Sequence, residues 1–152
     1  MTTPAVLSLA VPADAPSIAS LHAICFEDEH WELESVRWML TQVTTLCIVC
    51  RQDAALAGFA LCRVAADECE VLSCAVRPQS RACGFGRQML TRAFALAAGR
   101  GARRAFLEVD EGNACARALY ESLGLRKVGR RRGYYVRPGR PPADALVMSA
   151  DL

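Results

Sequence analysis

The spacing of apolar residues predicts helices followed by strands in the first half of the chain. Asp14 is a plausible N-cap, and apolar side chains recur at helical intervals after it, which predicts a first helix. Residues 32–42 predict a second, shorter helix. Three strand-like runs follow at about 45–51, 56–65 and 69–76, and polar turns separate them. An antiparallel meander is the simplest arrangement of these three strands.

The second half continues the pattern and adds a crossover. A long helix with one apolar stripe is predicted from near Gly84 to about Ala98. The later elements are a buried strand over 104–109, a helix over 114–123 that Asn113 can cap, and a hairpin over 125–132 and 144–150. A strand, helix and strand in succession imply a right-handed parallel crossover. The expected fold class is therefore α/β, with a mixed α+β sheet that is flanked by helices.

Composition favours one soluble domain. With 152 residues, 53% of them hydrophobic, the chain can bury a sizeable core, and we expect a single domain over 1–152. The N-terminus lacks the basic start and apolar run of a signal peptide. No apolar stretch approaches the roughly 18 residues that indicate a membrane span. We therefore expect a cytoplasmic protein without a membrane partner.

The eight cysteines are predicted to be reduced thiols, because most of them lie in apolar runs. Cys47 and Cys50 form one CxxC pair, but neither a second pair nor a CxxxH sequence follows. Buried thiols in a strand therefore explain this pair better than a zinc or redox site does. No metal is expected.

Charge is distributed unevenly along the chain. Residues 1–76 carry 10 acids and 3 bases, whereas residues 77–152 carry 15 bases and 6 acids. A basic half is typical of proteins that bind a phosphate-bearing partner, either a nucleotide cofactor or a nucleic acid. Two differently solvated surfaces would give the same distribution, so charge alone does not identify the partner.

The run Arg81-Ala82-Cys83-Gly84-Phe85-Gly86 lies between a predicted strand and the start of the long helix. Glycines allow a ligand to approach the backbone closely, and a helix N-terminus favours phosphate. Arg81 and Arg87 would add positive charge. The run lacks the Lys-Ser/Thr of a P-loop and the third glycine of a dinucleotide fingerprint. By itself it indicates a phosphate site or simply a glycine-rich helix entry.

A second group of residues follows one strand later. Glu108 lies in a run that otherwise reads as a buried strand, where a carboxylate needs a partner or a purpose. Asn113, Arg117 and Tyr120 fall on one face of the next predicted helix. Taken singly, Glu108 is equally well explained as a solvated strand-end carboxylate, and Tyr120 as a core aromatic.

Together the two motifs resemble the GNAT superfamily of acetyltransferases. The turn matches that family's Arg-x-x-Gly-x-Gly pyrophosphate motif, and its Asn…Ala-Leu-Tyr-x-x-x-Gly signature is matched by Asn113, Ala118, Leu119, Tyr120 and Gly124. The likeness extends to the bacterial ribosomal-protein-alanine N-acetyltransferases through 107–109, Glu121, 131–135 and 144–148. It covers most of the chain and is strongest from about 70 to 148. The implied fold is an antiparallel meander, a parallel crossover and a C-terminal hairpin.

Three positions depart from the family pattern. Ala82 and Cys83 stand where a pair of basic residues is frequent, so the turn offers fewer charged phosphate contacts. Leu125 replaces the usual Phe after Gly124, which changes the packing. His30 precedes Trp31 where relatives often have Pro-Trp, so the acceptor loop is expected to differ.

The resemblance implies an acetyl-CoA-dependent transferase without a metal, and it implies roles for particular residues. Glu108 is the expected general base and Tyr120 the expected general acid, while Glu70 is an alternative base on the preceding strand. Trp31 and Tyr134 are expected to wall the acceptor channel, to which Glu70 also belongs. The residues expected to hold acetyl-CoA are Cys74, Ala75, Val76, Arg81, Cys83, Gly84, Phe85, Gly86, Arg87 and Asn113.

The acceptor implied by the resemblance is the N-terminal alanine of a small-subunit ribosomal protein. Such proteins are cationic, and an acidic run could attract one: Glu27, Asp28, Glu29, Glu32 and Glu34. A small-molecule amine acceptor and a CoA-binding domain without catalysis are alternatives. A ribosome- or RNA-binding module is a further alternative, since basic residues cluster late in the chain: Arg126, Lys127, Arg130, Arg131, Arg132, Arg137 and Arg140. No DNA partner is expected.

Overall fold

The computed structural model describes residues 4–152. Within that range the strands are β1 (Val6–Leu9), β2 (Thr45–Gln52), β3 (Ala55–Ala65), β4 (Glu68–Val76), β5 (Arg104–Asp110), β6 (Arg126–Tyr135) and β7 (Ala143–Asp151). The α-helices are α1 (Ala15–Cys25), α2 (Leu33–Thr41), α3 (Phe85–Gly99) and α4 (Ala114–Ser122). Every element that the sequence predicted is present, whereas β1 was not predicted. Four residues are too few for a clear alternation, and β1 exists because it pairs with β2.

The strands form one mixed sheet in the order β1-β2-β3-β4-β5-β7-β6. β1 to β4 pair antiparallel as a meander, β4 pairs with β5 in parallel, and β7 pairs antiparallel with both β5 and β6. The expected meander, parallel crossover and C-terminal hairpin are therefore confirmed. The hairpin lies with its second strand, β7, against β5, an order that local patterns do not reveal.

The contact between β4 and β5 is short, and this shapes the site. Only residues 68–70 of β4 pair with residues 104–106 of β5. The register between β3 and β4 then shifts, because Cys62 faces Val71 while Leu61 faces Ser73. The extra residue, Leu72, is a β-bulge, which bends and twists the strand that carries it. Beyond the bulge β4 stays with β3 and leaves β5, so a gap opens in the middle of the sheet.

Helices cover both faces of the sheet. The largest buried cluster joins α3 and α4 to one face, through side chains such as Met89, Leu90 and Tyr120. A second cluster joins α1 and α2 to the other face, around Ile18 and Phe59. Burial of such large apolar side chains contributes about 1.5–3 kcal/mol each to stability. The gap between β4 and β5 therefore opens toward both layers.

The CxxC pair follows this two-sided arrangement. Cys47 belongs to the cluster under α1, and Cys50 belongs to the cluster under α3. Both thiols are buried, and all eight cysteines of the chain are free. Residues three apart in a strand point to opposite faces, so the two thiols cannot share one ligand. Their interpretation as buried strand thiols is confirmed.

Gly58 sets how closely β3 approaches β4 and α3. A Cβ atom at this position would lie 2.8 Å from the Ala75 carbonyl oxygen and 2.9 Å from Met89 Cε. We expect Gly58→Ala to lower the free energy of unfolding by about 1–3 kcal/mol, the usual cost of overpacking. Urea denaturation measures this change.

Gly99 provides the matched control, because no atom lies within 4 Å of a Cβ built there. Alanine is favoured over glycine in a helix by up to about 1 kcal/mol, so Gly99→Ala should retain or gain stability. An equal loss in both variants would show that close contact at Gly58 is not the cause.

Candidate active site

A cavity of about 1170 Å³ fills the gap between β4 and β5. Its walls come from both layers of the fold. Tyr120, Asn113 and Cys74 line it from the side of α3 and α4, and Trp31, Glu108 and Tyr134 line it from the other side. We call this cavity the cleft. A substrate that enters from one face of the sheet can therefore meet a second substrate that enters from the opposite face.

The turn that precedes α3 has the features of an anion site. Ala82 and Gly84 have positive φ angles of 62° and 82°, and Gly84 is the N-cap of α3. Within residues 4–152, the backbone N–H groups of residues 82–87 have no hydrogen-bond acceptor. Unpaired N–H groups at a helix N-terminus attract phosphate. The turn therefore fits the pyrophosphate of a nucleotide cofactor.

The structure shows the contacts and burial of the side chains around this turn, which the sequence did not indicate. Arg81 lines the cleft, and its Nε donates to the Val76 carbonyl oxygen at 3.0 Å. Arg87 instead donates to the carbonyl and hydroxyl oxygens of Ser122, at 3.2 and 2.7 Å, and so ties α3 to the end of α4. Gly86 favours this close approach, because a Cβ there would lie 3.2 Å from Leu119 Cδ2, and Leu119 would have to shift. Phe85 is buried, whereas Cys83 is exposed.

Backbone groups of β4 face the cleft at alternate residues. Arg77 N–H donates to the Ala57 carbonyl oxygen on β3 at 2.8 Å. Because these groups alternate along an antiparallel strand, Ala75 also bonds toward β3, while Cys74 and Val76 point toward the gap. The contact from Arg81 to the Val76 oxygen agrees with this direction. Of the three predicted residues, Cys74 therefore presents free backbone groups to the gap, and Val76 presents a free N–H, since its carbonyl oxygen accepts from Arg81. Ala75 presents neither group.

Tyr120 lies on α4 and is nearly buried, with 9% of its surface exposed. Burial raises the pKa of its hydroxyl well above the usual range, and the nearby Cys74 thiol adds to this shift. The hydroxyl therefore keeps its proton at any physiological pH. Asn113 holds the start of the helix, because its side-chain oxygen accepts the Ala116 N–H at 3.1 Å. Its predicted role as a cap is thus confirmed, and it also lines the cleft.

Of the carboxylates that line the cleft, Glu70 and Glu108 are the two candidate bases, and each has an arginine partner. Glu108 on β5 accepts a hydrogen bond from Arg131 at 2.8 Å. Glu70 on β4 accepts from Arg63 with both of its oxygens, at 3.1 Å each. Glu70 lies where β4 and β5 are still paired, whereas Glu108 lies two residues beyond the last pair, at the open gap. Glu108 and Tyr120 therefore approach the gap from opposite faces of the sheet.

The acceptor side of the cleft contains aromatic residues that the sequence only partly indicated. Trp31 and Tyr134 line it as predicted, and Tyr134 stands against Tyr135 with ring centroids 5.1 Å apart. His22 also lines it and stacks on Trp31 at 4.2 Å, but sequence reasoning missed this residue. On the sequence it is a single histidine in an apolar helix pattern, and only the fold brings it beside Trp31.

Just over half of the late basic cluster is paired with acids. Four of its seven members form ion pairs: Arg130 with Glu111 and Asp144, Arg131 with Glu108, Arg137 with Asp110 and Glu29, and Arg140 with Asp28. Two acids of the early acidic run are thereby paired as well. Charges that are paired within the protein attract an external partner less than the sequence indicates. This arrangement favours neither an RNA surface nor strong steering of a cationic acceptor.

Comparison with known proteins agrees with this geometry. The family model described as Acetyltransferase (GNAT) family matches residues 15–125 of the chain. The chain belongs to the GNAT acetyltransferase family. The resemblance that the turn and the Asn113 signature carried is therefore confirmed at the level of the family.

Similar sequences include the ribosomal protein bS18-alanine N-acetyltransferases of two bacteria. The Haemophilus influenzae protein is 36% identical over 95 residues, which cover 62% of this chain and 64% of that protein. The Escherichia coli K12 protein is 38% identical over 102 residues, which cover 66% and 68%. The matched stretch thus spans slightly less than two thirds of the Haemophilus influenzae relative.

Solved structures show the same fold over nearly the whole chain. The ribosomal-protein-S18-alanine N-acetyltransferase from Escherichia coli has a TM-score of 0.87 and 27% identity, and the match covers 97% of this chain and 94% of that one. Arabidopsis thaliana NAA60 in complex with acetyl-CoA also has a TM-score of 0.87, at 17% identity, covering 98% and 99%. The GNAT fold is therefore confirmed for this GNAT protein.

Two further observations concern the part of the chain that the structure describes. Residues 4–152 contain no helix long and apolar enough to cross a membrane. They also contain no cluster of three or more His, Cys, Asp or Glu side chains that could hold a metal ion.

Ser73, next to the bulge in β4, has a buried hydroxyl without a hydrogen-bond partner in the described residues. Because leaving a buried polar group unpaired costs about 1–3 kcal/mol, Ser73→Ala should retain or raise stability. Ser149 is the matched control, since its hydroxyl donates to the Ala105 carbonyl oxygen at 3.0 Å. Ser149→Ala should lose about 1 kcal/mol. Thermal denaturation compares the two variants, and a larger loss at Ser73 would contradict the assignment.

Proposed function

We propose that this GNAT protein transfers an acetyl group from acetyl-CoA to the N-terminal α-amine of a protein. The leading acceptor is the N-terminal alanine of a small-subunit ribosomal protein. One observation carries the chemistry: Tyr120 and Glu108 face the gap between β4 and β5 from opposite sides. Two relatives support this choice of acceptor. They are 36% and 38% identical to this chain, and both are named as N-acetyltransferases of alanine in ribosomal protein bS18.

The donor half of the proposed site is the turn together with the free edge of β4. The N–H groups of residues 82–87 would bind the pyrophosphate, and Arg81 would add a positive charge beside it. Cys74 would pair with the pantetheine arm through its backbone groups, and Val76 through its N–H, because the Val76 oxygen accepts from Arg81. Asn113 would contact the same arm with its amide nitrogen, while its oxygen remains on the Ala116 N–H. Cys83 to Gly86 would contribute to cofactor binding through their backbone groups. Arg87 would contribute indirectly, because it holds α4 against α3.

The transfer itself requires a neutral amine and a protonated leaving group. An α-amine has a pKa of about 8, so most of the amine is protonated at neutral pH, and a carboxylate base is needed to remove that proton. Glu108 lies at the open gap and is the proposed base. The amine nitrogen forms a bond to the acetyl carbon, and the bond from that carbon to sulfur breaks. Tyr120, which stays protonated, would donate its proton to the departing CoA sulfur.

Glu70 and the aromatic residues would complete the acceptor side. Glu70 is the alternative base, but both of its oxygens are engaged by Arg63. Trp31 and Tyr134 would wall the channel that leads the N-terminus to the gap. The free state of all eight cysteines supports a reducing compartment, so we place the protein in the cytoplasm, acting as one domain over 1–152.

Mass spectrometry of a peptide panel tests the proposal. Peptides that begin with Ala, Ser, Met or Gly are incubated with the protein and acetyl-CoA, beside a peptide whose only amine is a Lys side chain. Acetylation of the α-amine, with Ala preferred, is the expected result. Modification of the Lys peptide alone, or of small amines in place of every peptide, would replace the proposed acceptor with another amine.

A further inference from the structure

His22 is a buried polar residue in the acceptor half of the cleft. It lies on α1 with only 4% of its surface exposed, and its ring is enclosed by Trp31, Phe26 and Phe59. The Trp31 ring is stacked on it with the two planes inclined by 15°. Such tight packing leaves the imidazole little freedom to rotate, so its two nitrogens have fixed directions.

The hydrogen bond at Nδ1 decides which nitrogen carries the proton. The Trp31 backbone N–H donates to Nδ1 at 3.1 Å, so Nδ1 is an acceptor and the proton of the neutral ring lies on Nε2. Burial, assisted by the charge of His30, lowers the pKa of His22 to about 4. At neutral pH the ring is therefore an uncharged donor with a single N–H.

Nε2 is the ring nitrogen of His22 that the described residues leave without a hydrogen-bond partner. No group among residues 4–152 forms a hydrogen bond with it, and yet it is not sealed from solvent. The sealed side-chain atoms without partners in the described residues are Ser73 Oγ and Arg117 Nε, and Nε2 is not one of them. Because His22 lines the cleft and is otherwise buried, the accessible part of its ring lies in the cleft.

We propose that the Nε2–H group of His22 donates a hydrogen bond to the carbonyl oxygen of the acceptor's first residue, and so selects amines that have a peptide carbonyl beside them. This inference rests on the proposed function and adds the chemical feature by which the site recognises an N-terminus. His22 is a specificity-determining residue under this proposal, distinct from the groups that move protons.

A neutral donor suits this task for two reasons. An imidazolium would repel the incoming ammonium group, whereas the uncharged ring does not. A buried N–H group is left without a hydrogen bond when the ligand offers no acceptor. Sites that contain such a donor therefore discriminate strongly against ligands that lack the acceptor. A simple alkylamine, which has no carbonyl, would therefore bind less well than a peptide N-terminus.

The first test changes the acceptor and leaves the protein unaltered. An alanine-initiated peptide is compared with its analogue in which a trans-alkene replaces the first peptide bond, which retains the shape and removes the carbonyl. We expect kcat/KM of the wild-type protein to be about fivefold or more higher for the peptide, the value of one hydrogen bond. Equal values for the two acceptors would overturn the inference while the proposed function stands. Absence of transfer to any α-amine would overturn both.

Two variants distinguish hydrogen-bond donation by His22 Nε2 from the structural support that His22 Nδ1 gives to the Trp31 backbone. Asn presents an acceptor near the position of Nδ1, and Gln presents a donor near the position of Nε2. His22→Asn should lose about fivefold in kcat/KM for the peptide and nothing for the alkene analogue. His22→Gln should retain at least half of the wild-type preference for the peptide over the alkene analogue. A purely structural role predicts the reverse, with His22→Asn active and His22→Gln impaired on both acceptors, and that result would overturn the inference.

The control is His30, a partly exposed histidine near Trp31 on the same loop, whose Nδ1 lies 3.3 Å from the Glu27 carbonyl oxygen. His30→Asn should leave the preference for the peptide unchanged, and KM for acetyl-CoA should stay within about twofold in every variant. A loss of preference in His30→Asn equal to that in His22→Asn would also overturn the assignment to His22.

Discussion

Tyr120→Phe should lower kcat by about 100-fold or more, the usual range for loss of a general acid. The substitution removes one hydroxyl from a side chain that is 9% exposed and leaves the aromatic ring in the core. That hydroxyl has no hydrogen-bond partner among residues 4–152, so its removal breaks no contact in the free protein. Steady-state release of free CoA measures the change.

Binding and stability provide the control for this variant. KM for acetyl-CoA and the melting temperature of Tyr120→Phe should match those of the wild-type protein. Because burial raises the Tyr120 pKa above its usual range, ionisation of this group should cause no fall in rate below about pH 10. Tyr135→Phe alters a second cleft tyrosine and should affect KM for the acceptor more than kcat. An unchanged kcat in Tyr120→Phe would remove Tyr120 as the acid.

Glu108→Gln should lower kcat/KM for the peptide acceptor by about 100-fold, because the amine then lacks its base. The two side chains have nearly the same size, and Gln can still accept the hydrogen bond from Arg131. The loss should be smaller when the assay is run at a pH above the amine's own pKa of about 8, where free amine is abundant. A pH series of kcat/KM shows this recovery.

Glu70→Gln decides between the two candidate bases, Glu70 and Glu108. If Glu70 were the base, its variant would show the large loss, and Glu108→Gln would show little. Glu111→Gln is the control outside the cleft, since Glu111 is paired with Arg130 at 2.7 Å, as Glu108 is with Arg131. It should leave kcat/KM unchanged, and a comparable loss there would indicate a general effect of removing an arginine partner.

Much of the chain's local structure follows from residues that are close in sequence. Asn113 caps α4, Gly84 starts α3 with a positive φ, and the strand runs lie within a few residues of their predicted bounds. The turn at Arg81 to Gly86 and the Asn113 signature also identified the family. These features depend on backbone conformation and periodicity, which neighbouring residues determine. The sequence by itself therefore determined the family and every element except β1, and it singled out Glu108 and Tyr120 as candidates for acid–base chemistry.

The gap in the sheet, the orientation of His22 and the ion pairs depend on contacts between residues that are distant in sequence. Only the tertiary structure decided them. The bulge at Leu72 and the short pairing of β4 with β5 open the gap that lets Glu108 and Tyr120 face each other. His22 acquires its fixed donor only because Trp31 folds back over it. Ion pairs such as Arg140 with Asp28 join segments 112 residues apart and neutralise charges that looked free in the sequence. Register, burial and pairing arise from the packed chain as a whole, so no local pattern encodes them.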